Sequence, residues 1–397
     1  MAQQLKHTDS ENSLLALLPA GNDAALLRSQ GLPGRRTEDW RWSDLRGVLK
    51  GPIALSDKFA GSMSAGLPVP DALTFTFANG QLMSSPENVP EQIRYLVGAQ
   101  REETVSAAMP QLAASLVDQT HTLEITGECA QPVHLRYLSD GTGMHQTRVR
   151  IRLSEGARAT IVEEFTGGEQ AWLANSLSEF SLSEKAVLTR IVLQEAAPAA
   201  ITVNTALLDL QARSRFHQTT VAFGGRLTRL ETQLVQGAPD SQATLNAAYL
   251  LNQQNHLDMT TLVHHLAERG VTGELVKGVL ADASCGVFQG KFLVARGAQK
   301  IDARMAHNAL LLSEKAEVNA KPELEIYADD VECAHGNTAG ALDDQALFYM
   351  RQRGLSEHQA RAILVDAFLG EVLDDVEDDA LRAQLTERVG AFMEQQS

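Results

Sequence analysis

Between His121 and Ala341 apolar and polar positions alternate in short runs, and almost nothing there has the spacing of a long amphipathic helix. Arg148-Val-Arg-Ile-Arg-Leu153 alternates strictly, which predicts a strand buried on one side. Val187, Thr189, Ile191 and Leu193 repeat the pattern, as do residues 202–208 and 245–251. A turn-like phrase also recurs, in Leu153-Ser-Glu-Gly-Ala157, Leu182-Ser-Glu-Lys-Ala186 and Leu312-Ser-Glu-Lys-Ala316. The first two copies lie 29 residues apart and the last two 130, equal to five spacings of 26. Many short strands at a coarse period predict a solenoid of stacked β-coils, each burying the apolar edge of its neighbour. A β-sandwich also has short alternating strands but gives the repeated phrase no place.

The flanks differ. Residues 13–18 and 23–31 read as short helices, 73–77 as a strand within an irregular stretch (51–90), and 103–117 as a helix. Leu32-Pro-Gly-Arg-Arg-Thr-Glu-Asp-Trp-Arg-Trp-Ser-Asp44 carries two tryptophans spaced like the anchors of a docked segment. From Asp343 the chain turns helical. A helix over 344–353 ends at Gly354, and Ser356-Glu-His-Gln359 is a capping box opening a second. Ala360, Ile363, Leu364, Ala367 and Phe368 form one apolar stripe of that helix, and Val365, Leu369, Val372 and Leu373 add a second. A third helix starts at Asp378-Asp379 and carries Leu381, Leu385, Val389 and Phe392. The division is thus 1–118 (helical and irregular), 119–342 (β-core) and 343–397 (helical).

Charge and cysteines narrow the function. The 397 residues hold 34 Lys plus Arg against 50 Asp plus Glu, a net charge of −16. Such a surface repels phosphate backbones and anionic lipid, with Arg35-Arg36 the main local exception. No apolar run approaches twenty residues and the N-terminus lacks a secretory pattern, so neither a membrane span nor export is expected. Cys129, Cys285 and Cys333 are odd in number and scattered, which predicts free thiols in a reducing cytoplasm. Three thiols also cannot hold a four-cysteine cluster within one chain. No phosphate-binding glycine motif occurs, so ATP hydrolysis by this chain is not expected. His264-His265 would face opposite ways on a strand, and Cys129 and Cys285 read as packing thiols.

One run concentrates chemistry: Glu323-Leu-Glu-Ile-Tyr-Ala-Asp-Asp-Val-Glu-Cys-Ala-His-Gly336-Asn-Thr338. On a strand Cys333 and His335 share a face about 7 Å apart, a soft-metal pair with Asp329, Asp330 and Glu332 close by. A cysteine protease reading fails because a nucleophile and its base must come within hydrogen-bond reach. Taken alone, the pair reads as a packing thiol and a turn histidine.

With Asn319-Ala-Lys-Pro-Glu323 before it, this run resembles the signature of the SufB/SufD family of iron–sulfur cluster assembly scaffolds. The Leu-Pro…Glu-Asp-Trp…Trp stretch resembles the family's N-terminal part, so the resemblance spans nearly the whole chain. It implies a right-handed parallel β-helix core flanked by helical segments. It implies a non-catalytic scaffold subunit that pairs with a SufB-like paralogue through the β-helix end. It also implies that a SufC-like ABC ATPase docks on the C-terminal helices, around Arg351, Arg353, Gly354 and Phe368. Three cysteines match the cysteine-poor, SufD side of a SufB–SufC–SufD complex. His335, and secondarily Cys333, would then touch iron or a nascent iron–sulfur cluster shared with the partner, none being held tightly by this chain alone. The assembled complex is associated with flavin in this family, and no residue here marks a flavin site. A homodimer would lack the partner's acceptor cysteine. The rival class is a β-helix carbohydrate-active enzyme, which favours a secreted chain with stacked carboxylates.

Overall fold

The computed structural model describes residues 6–18, 25–61, 66–98 and 107–394. Its strands alternate between two sheets. β1 (Leu73–Ala78) and β2 (Gln81–Ser84) form an antiparallel hairpin at the edge of one sheet. β3 (Ile93–Gly98) pairs antiparallel with β4 (Thr120–Ile125) at the edge of the other. Beyond them all pairing is parallel. β5 (Val133–Ser139), β7 (Arg158–Gly167), β9 (Val187–Glu195) and β11 (Arg215–Ala222) extend the sheet of β1. β13 (Gln242–Leu251), β15 (Val271–Leu280), β17 (Ile301–Leu311) and β19 (Val331–Gly340) complete it. The sheet of β3 and β4 continues through β6 (Gly143–Leu153), β8 (Trp172–Leu182), β10 (Ile201–Leu210) and β12 (Leu227–Gln236). It finishes with β14 (His256–His265), β16 (Cys285–Val294) and β18 (Glu317–Ile326). This is the predicted mainly β architecture: a parallel β-solenoid of about 8 turns with helices toward both chain ends.

The repeat is set at the corners. Arg158, Val187, Arg215, Gln242 and Val271 lie side by side, offset by 29, 28, 27 and 29 residues. At each corner leading into these strands one residue is left-handed: Gly156, Lys185, Arg213, Asp240, Arg269 and Lys300, with φ between 58° and 68°. Only the first is glycine, so five L-residues accept roughly 1–2 kcal/mol of steric cost each. The conformation aims each amide along the solenoid axis. Lys185 N–H donates to the Ala212 carbonyl, Arg213 to Pro239 and Arg269 to Gln299. The repeated phrase obeys this geometry only in part. Its first two copies turn the same corner, after β6 and β8, whereas Leu312–Ala316 follows β17 and turns the opposite one. The 130-residue spacing is therefore about four and a half coils, and five equal spacings of 26 do not exist.

The N-terminal segment lies across the sheet of even-numbered strands. α1 (Asp9–Leu17) starts at a Thr8/Glu11 capping box, four residues before the predicted start at Ser13, with Leu14 as its fully buried anchor. Residues 23–24 and 103–106 of the predicted helices lie outside the described residues; α2 (Ala25–Gln30) and α4 (Ala108–Leu116) are what is described, with α3 (Leu45–Val48) between them. Trp40 is buried with its ring 4.3 Å from the Arg229 guanidinium, as expected of an anchor. Arg229, itself fully buried, donates to Asp258 (2.7 Å) and to the Asp39 carbonyl (2.8 Å). Burial opposes its charge, but Asp258 and Glu231 outweigh that and raise its pKa.

The C-terminal helices α5 (Asp344–Gln352), α6 (Glu357–Leu373) and α7 (Asp379–Glu394) pack on the other sheet. Ser356 caps α6 through the predicted capping box. The buried stripe of α6 is Ala360, Val365, Leu369, Val372 and Leu373, whereas Ile363 is 45% exposed and Ala367 is exposed. Periodicity could not choose between the two stripes, because α6 is apolar around most of its circumference. The sheet on one side and α7 on the other made the choice. No helix is long and apolar enough to cross a membrane among the described residues.

Candidate functional site

The two ends of the solenoid are built differently. At the first coils β2 and β3 run antiparallel along the sheet edges, while at the far end β18 and β19 have no outer neighbour among the described residues. In the last ladder Cys333 lies over Ala303, His335 over Met305 and Asn337 over His307. Ala303, Met305 and His307 are buried, so the parallel register puts Cys333, His335 and Asn337 on the interior-facing side of the terminal coil. Nothing lies over them among the described residues: Cys333 is half-buried and His335 exposed. On the same coil Val318 and Leu324 are only partly buried, and Ile326 (38%) and Tyr327 (56%) are exposed. The end of the apolar core is uncovered.

Burial pushes the Cys333 thiol up, and the Asp302 carboxylate on the coil below adds to the shift. The sequence neighbours contribute differently from expectation. Glu332 points to the outer face near Arg304 (3.9 Å), and Asp330 uses its backbone N–H to bond Gln299. Cys333 and His335 do share a face, as their spacing predicts. They do not make a complete metal site, for among the described residues no group of three or more His, Cys, Asp or Glu can hold an ion.

The interior of the solenoid holds polar groups that the sequence reading missed. Glu163 accepts from Tyr137 (3.1 Å), Ser178 (2.7 Å) and Arg190 (2.6 Å), and Arg190 also donates to Gln218 (2.6 Å). Beyond them is a cavity of about 30 Å³ lined by Arg190, Asn204, Gln218, Thr261 and Glu274 among others. That is room for one or two waters. Among the described residues neither Glu274 oxygen nor the Asn204 amide meets a partner at hydrogen-bond geometry, and burial pushes the Glu274 pKa up to about 8. No local pattern marks Glu274 as inward, since the more exposed positions beside Thr272, Glu274 and Val276 on β15 are Val271, Gly273 and Leu275.

His265 is buried and His264 half-exposed, on opposite faces as expected. Cys129 bonds the Gln131 carbonyl, and burial pushes Cys285 up to about 11. Ser43, His256 and Asp258 meet in space, with Ser43 Oγ 2.9 Å from His256 Nε2 and 2.6 Å from Asp258 Oδ2. The serine is fully buried and its single proton goes to Asp258, so this trio ties the N-terminal segment down and offers no activated nucleophile.

On the helical side, Arg351 pairs with Glu357 at 3.5 Å. Arg353 donates to the Tyr349 hydroxyl (2.8 Å) and stacks 5.1 Å from its ring. Gly354 has φ +93° and closes α5. Phe368 is partly buried beneath the Lys277 ammonium, 4.8 Å from its ring, so it holds α6 to the sheet. The exposed apolar groups are instead Phe348 (65%), Tyr349 (60%) and Ile363. Two adjacent aromatics on a short helix cannot both face inward, which is the signal that marks them.

The architecture defines a class: a β-solenoid with one uncovered end, an interior free of a complete metal site among the described residues, and helices packed along its side. Comparison with known proteins gives the family. Residues 136–368 match the SUF system FeS cluster assembly, SufBD core domain. The chain belongs to the SufB/SufD family and within it is most like SufD. It is similar to the iron–sulfur cluster assembly protein SufD of Escherichia coli, 28% identical over 92% of this chain and 90% of that one. An iron–sulfur cluster assembly SufBD family protein of Synechocystis is 28% identical over 98% and 93%. The chloroplastic protein ABCI7 of Arabidopsis thaliana is 31% identical over 66% and 58%.

Proposed function

We propose that this chain is a SufD-type scaffold subunit of iron–sulfur cluster assembly, working in a SufB–SufC–SufD complex. The observation that carries this is the uncovered end of the solenoid. Two ten-residue strands there leave edge N–H and C=O groups unpaired over an exposed apolar interior. A monomer pays for such an edge in aggregation risk, so a second sheet edge is the natural cover. A SufB-like solenoid supplies one. Iron or a nascent cluster at the junction is substrate, with His335 its first contact and Cys333 the second; the partner must complete the ligand set. A neutral imidazole binds iron without the deprotonation that a buried thiol requires. No catalytic role is assigned to this chain.

The helices α5 and α6 offer the surface for a SufC-like ATPase, with Phe348 and Tyr349 at its centre and Arg351, Arg353 and Gly354 around them. Deleting the tail is a poor test, since α6 and α7 cover Val221, Ala248, Leu250 and Val279 of the sheet. Point substitutions separate the two surfaces. Co-expressed with its SufB-like and SufC-like companions, Ile326→Asp should lose the solenoid partner, and Phe348→Ala with Tyr349→Ala should lose the ATPase alone. Retention of both partners by both variants would refute the assignment.

A further inference from the structure

A chain of hydrogen bonds runs from the buried core to the uncovered end. Tyr249 on β13, fully buried, places its hydroxyl 2.9 Å from His307 Nε2 on β17. His307, also fully buried, places Nδ1 2.6 Å from Asn337 Oδ1 on β19. Phe288 stacks on the imidazole at 4.8 Å and 11°. The intervening strand makes way for the tyrosine. Gly278 is the register partner of Tyr249, and a Cβ there would lie 2.0 Å from the tyrosine Cζ. The ring therefore leans across β15 to reach a histidine two coils along.

The protons can be ordered. The Tyr249 hydroxyl has no acceptor other than His307 Nε2 among the described residues, and a buried hydroxyl proton left without an acceptor is costly. Tyr249 thus donates to Nε2, which leaves the proton of the neutral imidazole on Nδ1. Nδ1–H then donates to Asn337 Oδ1, so the amide is held with its NH₂ group away from His307. Among the described residues that NH₂ bonds nothing, and Asn337 is exposed on the same strand face as His335.

We propose that Tyr249 and His307 are positioning residues that fix the Asn337 amide as a hydrogen-bond donor at the open end, where it bonds a main-chain carbonyl of the partner solenoid's edge strand. The chemistry of the acceptor follows from the edge itself: an unpaired strand presents carbonyl oxygens at regular intervals. This rests on the pairing reading above, and the experiment keeps the two apart.

Pairing affinity with the purified SufB-like companion is measured by titration for wild type, Asn337→Asp, Asn337→Ala, Tyr249→Phe and the Tyr249→Phe/Asn337→Ala double variant, with Ile326→Asp as control. Asn337→Asp keeps the acceptor for His307 but replaces the donor by a charged acceptor, and should weaken pairing about tenfold or more. Tyr249→Phe frees the tautomer and with it the amide, and should weaken pairing less. It should also shift the ¹⁵N resonances of His307 away from the Nδ1–H form. In the Asn337→Ala background Tyr249→Phe should have no further effect on pairing, which a merely structural tyrosine would not reproduce. Wild-type affinity in Asn337→Asp, or an undiminished Tyr249→Phe effect in the Asn337→Ala background, overturns the proposal. Undiminished pairing by Ile326→Asp would instead overturn the pairing reading on which it stands.

Discussion

His335 lies directly over Met305 in the last ladder of the solenoid, and while Met305 is 2% exposed, His335 is open to solvent. Among the described residues no coil lies above this inward-facing histidine, and that position is the ground for the contact proposed for it. Replacing it separates stability from function. His335→Ala should change unfolding free energy by no more than about 0.5 kcal/mol, as for other exposed side chains. Bound iron and sulfide in the anaerobically reconstituted complex should fall while complex yield holds. Wild-type cluster content would leave His335 without the role assigned to it.

Cys333 should react slowly. Its raised pKa keeps the thiol protonated through neutral pH, so alkylation by iodoacetamide should be slower at pH 8 than for an unhindered thiol and should climb with rising pH. Asp302 is the charge that adds to burial, so Asp302→Asn should speed the reaction at pH 8. An unchanged rate would show that burial alone sets the thiol's acidity. Cys285, pushed up to about 11, is the slower internal comparison.

Glu274 makes stability depend on pH in a specific window. Its pKa rises from 4.5 unfolded to about 8 folded, so the unfolded chain loses this proton first. Between those values its contribution to stability falls with rising pH, by up to about 1.4 kcal/mol per unit, and levels off above the folded pKa. Glu274→Gln removes that dependence. The variant should gain on the wild type steadily from pH 5 to pH 8 in urea unfolding, and a constant difference would place an ionised carboxylate in the cavity.

Arg229 anchors the N-terminal segment through Trp40, the Asp39 carbonyl and Asp258. Arg229→Ala leaves Asp258 buried without its counter-charge and should cost about 3–5 kcal/mol. Limited proteolysis should then cut within 33–44 before the solenoid. Trp40→Ala, which keeps the ion pair, should cost less.

The strand alternation determined that the core is built of one-sided strands, because such a strand states its own period wherever it lies, and the turn phrase shared by residues 153–157 and 182–186 favoured a solenoid over a sandwich. It also put Cys333 and His335 on one face, and the Ser356 capping box marked where α6 begins. These are properties of residues within four positions of each other. What the tertiary structure decided are relations between residues one coil apart, about 29 positions along the chain. That offset varies from coil to coil, so no local pattern reveals that Asp302 rather than Glu332 faces the Cys333 thiol, or that Tyr249 reaches His307 past Gly278. The third copy of the turn phrase matches the first two in sequence yet turns the other corner, since a short phrase encodes a bend and not its place in the stack. The choice of Val365 over Ile363 on α6 came likewise from the sheet and α7. The open end is the clearest case: β19 places Cys333, His335 and Asn337 over Ala303, Met305 and His307, and only the absence of a coil above it among the described residues leaves that interior face exposed.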